Sequence, residues 1–157
     1  MDVYIFPSIT MRNIHIGIER KMWAVAPMGE PHATARRTRS LDMPIGAAGL
    51  FYCSEYQLFT VPFVVESEPL DTSVPDVWSE TWYLPFRIRP IGSIQHRVTL
   101  THAHATWPIL HNAPNAAWVI NLGPAMAFAS TFFPRAHWDL ILEQFNLDPE
   151  QLEDVFP

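Results

Sequence analysis

The chain has 157 residues, 48% hydrophobic and 13% aromatic, which suits one domain around one core. Its net charge of −6 argues against a broadly basic nucleic-acid binder, and its single cysteine, Cys53, excludes a disulfide framework and a cysteine-based zinc site. The charge is uneven: Asp139 to Asp154 holds six acids and no base, while the rest balances ten bases, nine of them arginine, against ten acids.

Val3 to Phe6 is a β-rich run that Pro7 should close. Ile14 and Ile18, with Met11 and Met22 continuing their face, predict a short amphipathic helix ending at Glu19-Arg20-Lys21. The two cations suit a helix C-terminus. Trp23 to Ala26 then reads as a short strand stopped by Pro27. Glu30 to Ser40 predicts a polar helix in which Arg36 and Arg39 share a face.

Gly49 to Cys53 and Gln57 to Glu66 predict a hairpin, with Pro62 marking an edge or a bulge. Ser67 to Tyr83 is a long connection with Trp78 and Trp82, and a connection this long is usually functional when ordered. Phe86-Arg87-Ile88-Arg89 alternates as a strand with one buried face. Arg97 to Leu100 predicts another strand, Thr101 to Asn115 a loop, and Ala117 to Ile120 a return to the sheet. Ala116 to Phe133 carries no charge, but its polar and turn residues favour a buried strand and loop over a membrane span. Trp138, Ile141, Leu142 and Phe145 share one helical face, and Asp148-Pro149 opens a short helix.

Several of these stretches carry a family likeness. Asn13-Ile14, Ile18 and Trp23-Ala24 come first, then Gly49-Leu50-Phe51-Tyr52, then Phe59-Thr60-Val61-Pro62-Phe63. Val77-Trp78, Trp82-Tyr83-Leu84-Pro85-Phe86-Arg87-Ile88 and the helix from Pro134 to Phe145 complete the set. Together they resemble the EVE and YTH branches of the PUA-like superfamily, over about Val3 to Ile91 and again at the closing helix. The likeness implies an α+β fold, a small curved β-barrel flanked by helices. It also implies one domain over residues 1–157, with closing helices at about 134–157. Its mouth would hold an aromatic cage for a modified nucleobase, with Trp23 and Trp78 as walls, Trp82 as a third wall and Asn13 bonded to the base edge. Arg36, Arg37, Arg39 and Arg89 would hold the nucleic-acid backbone.

Facing aromatic rings stack a flat base at about 1–3 kcal/mol, and a methyl group removed from water adds about 0.8 kcal/mol. Each residue also has a plainer reading. Asn13 can cap the first helix, the tryptophans can be core, and the arginines can be solvated faces. His96, His102, His104 and His111 lack a metal-binding spacing and read as polar loop. No nucleophile motif or glycine-rich phosphate loop occurs, so the expectation is a non-enzymatic module without cofactor or metal.

The first expectation is a reader of a methylated base flipped from DNA, with DNA ahead of RNA, in a restriction system whose nuclease is another domain or subunit. One alternative is a YTH-like reader of N6-methyladenine in RNA. Another is a small nucleoside hydrolase of the ASCH type, which would need Lys21 or Glu19 inside the pocket. A protein-interaction module is the last. Met1-Asp2-Val3-Tyr4 lacks a basic signal-peptide head, and a reducing, cytoplasmic setting away from membranes is expected.

Overall fold

Three stretches are apolar on both faces, and the sheet is built around them. In the computed structural model, which describes residues 1–157, β1 (Asp2–Ser8), β3 (Ala48–Cys53) and β4 (Leu58–Val65) are its centre. Successive side chains alternate between the faces. Tyr4, Phe6, Phe51 and Phe63 enter one core, with Trp23, Trp78 and Trp82. Val3, Ile5, Leu50 and Phe59 enter the other, with Trp107 and Trp138.

The strand order is β2-β6-β4-β3-β1-β8, with β2 (Met22–Val25) and β8 (Ser130–Phe132) at the two ends, not paired with each other. The architecture is therefore α+β, as expected, with a curved, partly open sheet that makes a half-barrel flanked by helices. β6 (Trp82–Pro90) joins β2 to β4, while β5 (Ser73–Val74) and β7 (Arg97–Thr99) lie off the main path. Pro62 falls at a bulge rather than an edge: the β3–β4 register shifts between Gly49 and Phe51, and Val61 has φ 49°. Pro7 lies inside β1 instead of closing it. Beyond Tyr4 no β8 residue faces β1, so the missing N–H deprives no partner.

The helices α1 (Met11–Arg20) and α2 (His32–Ser40) flank one core, and α5 (Arg135–Gln144) covers the other with Trp138, Ile141 and Leu142. Lys21 closes α1 in the left-handed conformation, its N–H bonded to the Gly17 and Ile18 carbonyls. Between β7 and β8 the predictions fail. Leu100–Thr106 is a helix, α3, capped by Thr99, and Ala116–Val119 is a helical turn, α4, capped by Asn115. β8 itself is largely exposed, not a buried strand. No helix is long and apolar enough to cross a membrane.

Candidate nucleobase pocket

The first turn of α1 and the strand after it meet because of two small features. Thr10 caps the helix, its hydroxyl accepting from the Asn13 N–H at 3.2 Å. The cap role that Asn13 could have filled is thus taken, and its side-chain amide makes no hydrogen bond within the protein. At Gly17 a Cβ would lie 2.7 Å from the Trp23 ring, so glycine lets the helix sit against the indole.

A cavity of about 180 Å³ opens beside these residues. Phe6 to Ile9 form one side, and Trp23 to Met28 a second. Asn13, Arg36, Ser54, Glu80, Trp82, Leu122, Pro124 and Ala127 complete the lining. Drug-sized sites run to about 300–1,000 Å³, so this volume suits one flat ring rather than an extended ligand.

The three tryptophans meet, but not as facing jaws. Trp78 and Trp82 stack on each other at 4.2 Å and 12°. Trp23 stands edge-on to both, at 5.6 Å and 81° from Trp78 and at 5.2 Å and 76° from Trp82. Trp23 is 1% exposed, Trp82 4% and Trp78 5%. Trp23 and Trp82 line the cavity, whereas Trp78 lies outside its lining, tied by its indole N–H to the Asn13 carbonyl at 3.1 Å. Trp82 is held by a bond from its indole N–H to the Glu80 carboxylate at 3.3 Å. The stacked rings are already in contact and leave no slot between them for a third ring.

The four arginines divide. Arg36 is 4% exposed and lines the cavity; one guanidinium nitrogen donates to the Ala26 carbonyl at 2.7 Å, and its Nε has no partner. Burial, and then the nearby Arg39 charge, press its pKa below the ordinary arginine value. A buried cation without a carboxylate is costly unless an acceptor reaches it. Arg36, Pro27 and Met28 also wall a second cavity of about 200 Å³, shared with Arg37, Asp71 and Tyr83. Arg39 donates to the Ala125 and Ala127 carbonyls, anchoring the segment that forms the far wall. Arg37 pairs with Asp71 at 3.3 Å and Arg89 with Glu66 at 3.0 Å, both at the surface.

Lys21 and Glu19 are exposed at the far end of α1 and do not line the cavity. No group of three or more His, Cys, Asp or Glu could hold a metal. Phe6, Glu80, Leu122 and Ala127 are walls that sequence reasoning missed. Only Glu80, two residues from each of Trp78 and Trp82, carried a local signal.

With this geometry in view, the chain can be set beside known proteins. No protein-family model and no curated protein matches it. Solved structures do. A complex of the YTH domain-containing protein mmi1 with RNA aligns over 98% of this chain and 85% of its own, at TM-score 0.60 and 11% identity.

The fold is YTH-like.

The YTH domain of Zygosaccharomyces rouxii MRB1, in complex with N6-methyladenosine RNA, covers 92% of this chain and 86% of its own at TM-score 0.56 and 15% identity. Protein Atu2648 from Agrobacterium tumefaciens covers 94% of both chains at TM-score 0.53 and 18% identity. Further YTH domains align over 59% of this chain and 58% to 66% of their own, at TM-scores of 0.43 and 0.44 that carry no weight. These neighbours overturn the order of partners read from the sequence. The mmi1 and MRB1 structures hold RNA, so DNA does not stand ahead of RNA, and the nuclease-linked setting that depended on DNA loses its basis.

Proposed function

We propose that this protein reads a methylated base in RNA, with N6-methyladenine as the leading ligand. The observation that carries the reading is a one-ring cavity with two indoles and an unengaged amide on a YTH-like fold. In this reading Trp23 and Trp82 hold the flat ring, and Asn13 bonds its polar edge. Trp78 swings off Trp82 as the base enters and offers its freed face to the ring. The N6-methyladenosine RNA bound by the MRB1 domain supports the choice of ligand.

The arginines take different parts. The Arg36 guanidinium, which lines the cavity, meets an acceptor on the ligand, and this relieves its buried charge. Arg37 and Arg89 exchange their carboxylates for phosphate at little cost, since exposed pairs are worth about 0–1 kcal/mol. Arg39 holds the wall and reaches backbone only through that segment.

Asn13→Ala is the decisive variant. The amide has no internal partner, so stability should change by less than about 0.5 kcal/mol. Losing the base-edge hydrogen bond should weaken binding of an N6-methyladenosine oligoribonucleotide by about 1–3 kcal/mol. Isothermal titration against methylated and unmethylated RNA of one sequence, at fixed salt, reads both effects. Equal affinity of the wild-type protein for the two RNAs would refute the proposal.

Arg36→Met separates ligand contact from packing. Removing a poorly compensated buried charge offsets the loss of the bond to Ala26, so the free energy of unfolding should change by no more than about 1 kcal/mol. Affinity for the same RNA should fall by at least about 1 kcal/mol. Undiminished affinity would place the Arg36 guanidinium outside the recognition event.

A further inference from the structure

Three of the cations that the pocket does not use gather at one place. Arg20 ends α1, Lys21 caps it, and Arg87 lies on β6 opposite Met22 of β2. The Lys21 carbonyl accepts the Ile88 N–H at 3.0 Å, which sets Lys21 beside the Arg87 segment. All three side chains are exposed, and none forms an ion pair. Glu66, the acid next along the chain pairing, is taken by Arg89, and Glu19 alone offsets the group from α1. In a chain of net charge −6 this is a local excess of positive charge. It also lies along the outer strand β2, where no further strand covers it.

We infer that Arg20, Lys21 and Arg87 form a second contact for the RNA, gripping backbone phosphates of the strand whose methylated base enters the pocket. The inference rests on the RNA reading above. The cavity takes its wall from Trp23 through β2 to Met28 just beyond it, and the cations flank the other end of the strand, beside Met22. Four strand residues span about 10 Å, the reach of about three stacked nucleotides at roughly 3.4 Å each. An RNA strand leaving the pocket along this edge meets the cations within a few nucleotides. Two of the three are arginines, whose planar fork fits phosphate bidentately. The helix C-terminus alone accounts for Arg20 and Lys21, but not for Arg87 on a neighbouring strand.

The test compares the wild type with an Arg20→Gln, Lys21→Asn, Arg87→Gln variant; Asn suits the left-handed position of residue 21. Probes are free N6-methyladenosine, an N6-methyladenosine RNA nonamer, and phosphatidylserine vesicles, each titrated over a salt series. The expected result is unchanged nucleoside affinity, nonamer affinity lower by about tenfold or more, and a log–log salt slope reduced by about 2, from roughly 0.7 per phosphate contact. An unchanged slope overturns the inference. So does wild-type binding to the vesicles with none to RNA. A reduced slope in a protein indifferent to methylation keeps this contact and sinks the pocket reading instead.

Discussion

Trp23→Ala is expected to lose about 3–5 kcal/mol of stability together with all preference for methylated RNA. The indole is 1% exposed and packs on Phe51 at 4.6 Å, besides its edge contacts to Trp78 and Trp82. It is wall and core at once, so its removal opens a void that its neighbours can only partly close. Urea unfolding reads the stability loss, and RNA titration in native buffer reads the binding loss. Asn13→Ala, which should lose binding alone, is the control that tells the two apart. A Trp23→Ala protein with wild-type stability would show that the ring is less tightly held than its burial implies.

Gly49→Ala should be nearly as damaging, although it adds a single methyl group at a residue outside the cavity lining. The new Cβ would fall 2.2 Å from the Phe63 ring. Phe63 is fully buried, with Phe51 at 4.7 Å and Phe6 at 6.2 Å, so it has nowhere to retreat. Overpacking of this kind costs about 1–3 kcal/mol and sometimes more. The upper end is expected here, as a fall in the denaturation midpoint. A change below about 0.5 kcal/mol would mean that the β3–β4 bulge can absorb the added volume.

The central strands were legible as short unbroken apolar runs, and α1 and α5 because burying one face imposes a period, while α2 showed as a polar stretch carrying three arginines. Alternation marked Phe86 to Arg89, and the spacing of Trp138, Ile141, Leu142 and Phe145 marked the closing helix. Residues 100–128 were not legible. Their helices are seven and four residues long, too short to show a period, and their caps, Thr99 and Asn115, sit among other polar residues. For the cavity, Asn13, Trp23 and Trp82 could be picked out by residue type and place. The position of Trp78 could not, because a ring that walls a cavity and a ring that backs that wall look the same in sequence. Phe6, Leu122 and Ala127 reach the cavity through long-range packing that no local pattern encodes.

The stack of Trp78 on Trp82 bears on affinity. On the reading proposed above, in which Trp78 swings off Trp82, an incoming base parts two rings that already satisfy each other, a contact worth about 0.5–1.5 kcal/mol. The methyl group that marks a modified adenine contributes about 0.8 kcal/mol, the same order. An empty site that is content with itself therefore sets an entry toll. On that reading, adenine and its methylated form meet the same toll, so it lowers the affinity for both alike and leaves the difference between them to the contacts made on arrival.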